Sequence, residues 1–386
     1  MENFEYQAGT KVLFGKGQIE KLPSIIKMYG TRVLLCYGGG SILKTGIYEK
    51  IYQLLDDCEL YELAGIEPNP KIESVLAGVK ICQEHEVDMI LAVGGGSVID
   101  CAKAISAAVF YDGEPWEMIK NAVQPPKALP LITILTLAAT GSEYDTGAVI
   151  SNPETREKLG YDSEMIRPKA SILDPVYTFS VSPKQTAAGC ADIISHLLEQ
   201  YFAPQNTFFA DQSLASALRT AIHYAPIAVK DAVNYNARGE LMWLSSLACN
   251  GILSAGCQYG GWSCHGIEHE LSAFYDVTHG VGLAIITPRW MRYVLNDATV
   301  SRFARYGIDV WGIDETMDPF EIANRAIDLT GNFFMNLGIP MSLTDLGIGT
   351  EHFEEMAVHA VETNGLSYAY VPLTKDDVKE ILNKCL

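Results

Sequence analysis

Short apolar runs that end at turns of glycine or proline mark the first half of the chain. Four such runs predict buried strands: Arg32–Tyr37, Val87–Val93, Ala128–Thr136 and Ala170–Leu173. Two segments between them, Tyr48–Leu55 and Ile72–His85, carry apolar residues at helical spacing. Strand, turn and helix in repeating order predict a parallel sheet with crossover helices, which is the Rossmann-like α/β plan.

The pattern changes near Pro183, where strand-like runs give way to long segments rich in Ala, Leu, His and Glu. These segments predict helices, among them Gln185–Tyr201, Phe208–Ala232, Arg238–Leu253, Tyr293–Arg305 and Phe353–Thr363. The sequence shows no internal repeat and no low-complexity linker. We therefore predict an α/β domain of residues 1–183 and an all-α domain of residues 184–386.

A turn of three glycines, Gly94-Gly95-Gly96, is followed by Ser97 and opens a helical segment. Glycine lets a backbone approach a phosphate, and the N–H groups of a helix N-terminus attract an anion. Gly95, Gly96 and Ser97 are therefore candidate pyrophosphate contacts, and Asp100 either caps the first turn or meets a ribose hydroxyl. The turn lacks the GxGxxG spacing, so an ordinary strand-to-helix turn is the alternative.

An earlier turn, Gly38-Gly39-Gly40-Ser41, ends a strand in the same way. An acidic residue here would bind the ribose hydroxyls of NAD, but the first acid downstream is Glu49. Gly38, Gly39 and Ser41 leave room and donors for a 2′-phosphate, which favours NADP, although the nearest cation is Lys44.

A third small-residue turn runs from Thr136 to Glu143 after another strand. The hydroxyls of Thr136 and Thr140 can bind a pyrophosphate or an amide, although Thr and Gly are common in any turn.

Histidines and one aspartate recur at helical spacing in the second half. Asp192 and His196 are four residues apart, as are His265 and His269, and His279 follows after a break. Residues four apart share a helix face, so such pairs can hold one ion. Three histidines and a carboxylate suit Fe²⁺ or Zn²⁺ and can leave a coordination position open. The alternative for any single histidine is an ordinary hydrogen-bonded side chain.

The composition of the chain argues against several classes of protein. The net charge of −19 argues against a nucleic-acid partner, since phosphate contacts need clustered Lys and Arg. No apolar run is long enough for a membrane span, and the first residues lack the pattern of a secretory signal. Nine cysteines without CxxC spacing favour free thiols over disulfides. We expect a cytoplasmic protein.

Taken together, these motifs make the sequence similar to the iron-containing alcohol dehydrogenase family, over nearly the whole chain. Within that family it most resembles NADPH-dependent butanol dehydrogenases and aldehyde reductases. The resemblance rests on segments that occur in the family's order: Thr10–Gly17, the two glycine turns, Ala139–Glu143, Gly147–Ser151 and the spaced Asp and His residues. Leu137, Ala139 and Gly147 depart from residues common in the family and agree with the butanol dehydrogenase branch.

The resemblance implies a role for each candidate residue. It implies that one divalent ion, Fe²⁺ or Zn²⁺, is held by Asp192, His196, His265 and His279, with His269 beside it as a catalytic histidine. It places the cofactor NADP(H) against the following residues: Gly38, Gly39, Ser41, Gly95, Gly96, Ser97, Asp100, Thr136, Thr140, Lys158 and Thr178. Lys158 would lie near the cofactor, and Thr178 on the adenine side.

The implied activity is hydride transfer between NADP(H) and a short-chain alcohol or aldehyde such as butanol or butanal. The implied assembly is a homodimer, and the implied fold is the two-domain architecture shared with dehydroquinate synthase. From the residues alone, three alternatives stay open. They are a dehydroquinate synthase-like or glycerol dehydrogenase-like enzyme, a metal-dependent hydrolase, and a nucleotide-binding regulator without catalysis.

Overall fold

The computed structural model describes all 386 residues, which form two compact units. The sheet unit comprises residues 7–182 and 232–250. The helical unit comprises residues 1–6, 183–231 and 251–386. The domain limits of 1–183 and 184–386 stay a prediction.

Eight strands lie in the sheet unit: β1 (Lys11–Phe14), β2 (Arg32–Tyr37), β3 (Glu59–Leu63), β4 (Met89–Gly94), β5 (Leu131–Leu135), β6 (Gly147–Asn152), β7 (Glu157–Asp162) and β8 (Ala170–Leu173). Six of them form a parallel sheet in the order β1-β8-β5-β4-β2-β3, and β6 and β7 form a separate antiparallel pair. The four strands predicted from the apolar runs are confirmed, and so is the parallel α/β plan. Strand β3 (ELYEL) escaped prediction because it lies at the sheet edge and is only partly buried.

Fifteen helices complete the chain: α1 (Leu22–Ile26), α2 (Ser41–Lys44), α3 (Ile47–Leu54), α4 (Ile72–Glu84), α5 (Gly96–Ala108), α6 (Pro115–Lys120), α7 (Pro183–Tyr201), α8 (Phe208–Lys230), α9 (Tyr235–Cys249), α10 (Ser263–Tyr275), α11 (His279–Val294), α12 (Val300–Trp311), α13 (Pro319–Asn336), α14 (Phe353–Thr363) and α15 (Lys375–Lys384). No strand occurs beyond β8, so the predicted all-α character of the second half is confirmed.

The parallel sheet is buried on both faces. Along β2, Leu34 and Cys36 point into one apolar core, whereas Val33 and Leu35 point into the other. Residues of α4 and α5 contribute to the first core, and residues of α1 and α3 contribute to the second. A sheet covered on both sides explains why its central strands read as continuous apolar runs rather than as alternating ones.

The strand order brings the two triple-glycine turns together. Strand β2 is followed in sequence by β3 on one side, whereas β4 and then β5 lie on its other side. Successive strands are thus added in one direction after β2 and in the opposite direction after β4. Open α/β sheets bind ligands outside the carboxyl ends of the strands at such a switch point. The glycine turns after Tyr37 and Val93 both lie at that edge.

Helix α7 is buried along nearly its whole length and packs against α8 and α11 in the helical unit. The approach of α11 is close, since a Cβ atom at Gly280 would overlap the backbone carbonyl of Ala188. No helix in the structure has both the length and the apolar character needed to cross a bilayer.

The predicted continuous helix Tyr293–Arg305 is wrong, because α11 ends at Val294 and α12 begins at Val300. The Thr299 hydroxyl donates to the Val294 carbonyl at 2.7 Å and accepts from the Asn296 backbone N–H at 2.9 Å. Such local side-chain bonds to the backbone compete with the helical ladder, so the apolar spacing alone gave the wrong limits.

Candidate metal centre and nucleotide turns

Three helices bring four predicted ligands to one point. Helix α7 carries Asp192 and His196 one turn apart, α10 carries His265, and His279 is the first residue of α11. The Oδ1 atom of Asp192 lies 3.5 Å from His196 Nε2, 3.9 Å from His265 Nε2 and 3.6 Å from His279 Nε2. Metal–ligand bonds of about 2.1 Å in a tetrahedron place ligand atoms about 3.4 Å apart, so the three distances from Asp192 Oδ1 suit a shared ion. The ligand atoms of Asp192, His265 and His279 all lie within 4.8 Å of one another, whereas His196 lies outside that tighter group.

Two carboxylates orient two of these imidazole rings from behind. Glu199 Oε1 lies 3.2 Å from His265 Nδ1, and Glu268 Oε2 contacts His279 Nδ1. A carboxylate at Nδ1 keeps the proton on that atom and leaves the Nε2 lone pair for a metal. Neither glutamate was singled out from the sequence, although Glu199 lies seven residues after Asp192 and therefore on the same helix face.

The electrostatics of the cluster fit a divalent cation. Asp192, Glu199 and Glu268 are each at most 5 % exposed, and each faces histidines. Burial lowers the pKa of His196 well below its usual value, which keeps this imidazole in the neutral form that binds metals. Three carboxylates buried close together would leave negative charge that a bound cation balances.

The Nε2 atom of His265 is buried without a hydrogen-bond partner, which a coordinated metal would explain. The donor set of three imidazoles and a carboxylate therefore fits Fe²⁺ or Zn²⁺.

His269 lies beside this cluster, on α10, one turn after His265. Its ring centroid is 5.7 Å from that of His279 and 6.4 Å from that of His265, and the side chain is half-buried. It therefore has the proximity and the solvent access that a proton carrier needs.

In the sheet unit, the turn after β4 is tightly packed against the turn after β5. A Cβ atom at Gly96 would overlap the Thr140 side chain, and one at Gly95 would lie 3.2 Å from Leu137 Cβ. Gly95 is the N-cap of α5 without a capping side chain, so Gly96 and Ser97 present the N–H groups of the first turn at the sheet edge. The turn after β5 occupies the space that side chains at Gly95 and Gly96 would need, and the N–H groups of the first turn of α5 fit a phosphate.

Asp100 lies one turn into α5 and does not cap it. Its Oδ1 accepts from the Ser142 hydroxyl at 2.6 Å, and its Oδ2 accepts from the Val149 N–H at 3.1 Å. Burial raises the pKa of Asp100 to about 6. Asp100 thus ties α5 to the segment that follows Thr140, and its contact with a ribose stays a prediction.

A second buried acid follows in the same segment. Glu143 accepts a hydrogen bond from Ser246 on α9, and burial raises its pKa to about 7. A neighbouring ion pair joins the buried Lys103 to the half-buried Asp145, with Lys103 Nζ 2.6 Å from Asp145 Oδ1. The sequence pattern gave no sign of this network, because its members are far apart in the chain.

The remaining predicted cofactor residues lie at several places in the sheet unit. Gly39 and Ser41 are exposed, and a Cβ atom at Gly39 would meet no atom within 4 Å. The Thr136 N–H donates to Gly94 O at 3.0 Å, which joins the turns after β5 and β4. The buried Thr178 hydroxyl donates to Pro175 O at 2.7 Å.

Lys158 on β7 is buried, and its Nζ lies 3.1 Å from Asn69 Oδ1. Asn69 was not singled out from the sequence. Its backbone has a φ of 49°, a left-handed conformation that Asn tolerates better than most residues.

The comparisons with known proteins identify the family of the chain. Residues 9–175 match the family described as "Iron-containing alcohol dehydrogenase", and residues 186–386 match "Fe-containing alcohol dehydrogenase family, C-terminal". The chain is 52% identical over 388 residues to NADH-dependent butanol dehydrogenase A of Clostridium acetobutylicum, covering 100% of both. It is 39% identical over 353 residues to NADPH-dependent aldehyde reductase YqhD of Escherichia coli, covering 90% of both.

The solved structure of NADH-dependent butanol dehydrogenase A from Thermotoga maritima has a TM-score of 0.95 at 37% identity, covering 100% of this chain and 99% of that one. The resemblance inferred from the motifs is thereby confirmed. The chain belongs to the iron-containing alcohol dehydrogenase family.

Proposed function

We propose that this protein is a metal-dependent alcohol dehydrogenase and aldehyde reductase that uses NADP(H) and short-chain substrates such as butanol and butanal. The observation that carries the proposal is the convergence of Asp192 Oδ1 with the Nε2 atoms of His196, His265 and His279. The names of the Clostridium and Escherichia relatives support the reaction class, and the butanol dehydrogenases support the substrate class.

A bound divalent ion would supply a Lewis acid, and a bound nicotinamide would supply or accept the hydride. The residues of the chain bind the ion and orient its ligands. Asp192 and the three histidines hold the ion, while Glu199 and Glu268 keep the protons of His265 and His279 on Nδ1.

His269 takes the hydroxyl proton during alcohol oxidation and returns it during aldehyde reduction. Its half-buried ring near His279 supports this role, because a proton carrier needs both the reacting group and a route to water.

The choice of NADP(H) is the finer part of the proposal, because the relatives named above divide between NADH and NADPH. It is supported by the turn from Gly38 to Ser41, which has no carboxylate to bind the ribose hydroxyls and repel a 2′-phosphate. The open space at Gly39 gives such a phosphate room. Gly95, Gly96 and Ser97 would hold the pyrophosphate at the N-terminus of α5.

The test is absorbance at 340 nm with butanal, run with NADPH and in parallel with NADH, before and after chelation and metal add-back. We expect oxidation of NADPH that chelation abolishes and that Fe²⁺ or Zn²⁺ restores. Faster oxidation of NADH would overturn the cofactor choice alone. Absence of oxidation with either cofactor, across several aldehydes and with metal supplied, would overturn the dehydrogenase itself.

A matched pair of aspartate variants sharpens this test. Asp192→Ala should lose both bound metal and activity, because it removes the atom on which the three imidazoles converge. Asp297→Ala, at an exposed position of the same unit, should keep both. Equal metal content in the two variants would exclude Asp192 as a ligand.

The proposal includes a homodimer, as the family resemblance implies, and a cytoplasmic location, as the composition and the free cysteines predict. Sedimentation equilibrium of the purified protein should give twice the chain mass of 42.3 kDa. A single-chain mass at micromolar concentration would exclude the dimer.

A further inference from the structure

Trp262 has an unusual backbone for a bulky residue. It precedes α10 with φ 44° and ψ 57°, which is the left-handed region that side chains other than Gly, Asn and Asp rarely adopt. Its carbonyl nevertheless accepts the first helical hydrogen bond, from Gly266 N at 3.0 Å. The conformation is therefore part of how α10 begins.

The two preceding glycines pack closely against neighbouring backbone. A Cβ atom at Gly261 would overlap the backbone of Ala369, and one at Gly260 would lie 3.1 Å from Phe202 O. The Gly260 carbonyl also accepts from Tyr370 N at 2.7 Å. Strained residues persist where the surroundings fix them, and they concentrate at functional sites.

The indole of Trp262 lies against two of the candidate metal ligands. Its ring centroid is 4.8 Å from that of His265 and 5.4 Å from that of His196. The two imidazoles stack on each other, with centroids 4.7 Å apart and planes inclined by 15°. The three rings form one packed group that joins α7 to the start of α10.

This packing matters most for His196. The Nδ1 atoms of His265 and His279 face Glu199 and Glu268, but the buried Nδ1 of His196 has no hydrogen-bond partner. A metal-bound histidine normally has its ring orientation fixed by a hydrogen bond at the other nitrogen. For His196, ring contacts take the place of that hydrogen bond.

We propose that Trp262 is a positioning residue that orients His196 and His265 for metal binding, and that its left-handed backbone delivers the indole to them. The inference rests on the proposed metal site. Removal of the indole should free the His196 ring to rotate about its side-chain bonds. The metal-binding nitrogen of His196 would then no longer be held in place. The affinity for the metal ion should therefore fall even though the protein stays folded.

The first measurement is the Zn²⁺ dissociation constant of metal-free protein, by competition with a chromophoric chelator. Loss of a residue that orients a ligand typically costs about 10–100-fold in metal affinity, and we expect Trp262→Ala to fall in this range. Trp262→Phe, which keeps a flat ring, should stay closer to wild type. Trp311→Ala is the control, since Trp311 lies on α12 in the same unit and packs against Phe333.

The second measurement uses fluorescence and remains decisive if Trp262→Ala does not fold. One equivalent of paramagnetic Co²⁺ should quench the indole fluorescence of the wild type and of Trp311→Phe. In Trp262→Phe the quenching should be largely lost, because the indole beside the ion is gone. Equal quenching in Trp262→Phe and wild type would show that this indole does not adjoin the ion.

The outcomes separate the two proposals. A wild type that binds no ion at all would overturn the metal site and the role of Trp262 with it. A wild type that binds one ion, with a folded Trp262→Ala of equal affinity, would overturn the positioning role alone. Thermal unfolding of the metal-free variants shows whether a fall in metal affinity is caused only by unfolding of the protein.

Discussion

Glu199 contacts His265 at two points: its Oε1 atom lies 2.9 Å from the backbone nitrogen and 3.2 Å from ring Nδ1. The backbone contact fixes where the carboxylate lies, and the ring contact fixes which imidazole nitrogen carries the proton. The same oxygen thus couples the path of α10 to the tautomer of a candidate metal ligand.

Glu199→Gln should therefore weaken Zn²⁺ binding by about 10–100-fold. The amide oxygen of glutamine can still accept from both donors, but it lacks the negative charge that holds the proton on Nδ1 of His265. Equilibrium dialysis followed by metal analysis measures the effect. Glu362→Gln, at an exposed position on α14, is the control. Equal zinc affinity in both variants would show that Glu199 does not orient a ligand.

Gly39→Asp should change the cofactor preference. The carboxylate would repel a 2′-phosphate and bind ribose hydroxyls, so kcat/KM for NADPH should fall at least about tenfold relative to that for NADH. Gly39→Ala is the matched control, because a Cβ atom there meets nothing within 4 Å. The measurement is steady-state kinetics with both cofactors. If the ratio of kcat/KM for NADPH to that for NADH is the same in Gly39→Asp as in the wild type, the 2′-position of the ribose does not lie at Gly39.

The main elements and the two pairs of candidate ligands four residues apart were predictable because they follow from local spacing, whereas only the family resemblance joined the pairs into one site. Asp192 and His196 are one helical turn apart, so their shared face follows from α7 alone. The glycine turns were recognisable because each comes directly after a continuous apolar run. Such runs are typical of strands that are buried on both faces of a parallel sheet. In each case neighbours along the chain are also neighbours in space.

What escaped prediction depends on contacts between distant parts of the chain. Glu143 bonds to Ser246, which is 103 residues away, and Lys103 pairs with Asp145 over 42 residues. Gly261, which precedes Trp262, packs against the backbone of Ala369, more than 100 residues away in the chain. Sequence periodicity reports which face of an element is buried but not which residues lie opposite it.

Glu143 makes the sheet unit's stability depend on pH. Its pKa is raised by burial to about 7 from 4.5, so the folded state binds the proton more tightly than the unfolded state. This contribution is fully present below about pH 4.5 and is lost as pH rises to about 7. Glu143→Gln has no proton to lose. Its stability relative to wild type should therefore rise by roughly 2 kcal/mol between pH 5 and pH 7.5.

Thermal unfolding midpoints of both proteins across this range measure the effect. Glu59→Gln, at the exposed start of β3, should follow the wild type at each pH. A constant difference between Glu143→Gln and wild type would mean that Glu143 is ionised throughout.

His269 should act on turnover rather than on metal binding. Its ring lies 5.7 Å from that of His279 but is not one of the four groups whose atoms converge on Asp192 Oδ1. His269→Gln should therefore keep full metal content and lower kcat for alcohol oxidation by about 10²-fold, the usual size of a general acid–base contribution. Because a lost proton carrier is partly replaced by hydroxide, the deficit should shrink as pH rises.

The measurement is kcat against pH with metal content determined on the same samples. His223→Gln, at an exposed position on α8, should match the wild type in both. A His269→Gln protein that loses its metal would make His269 a ligand, and one with unchanged kinetics would remove it from the mechanism. Only a slower enzyme with full metal assigns the proton transfer to this side chain, because metal content separates holding the ion from moving the proton.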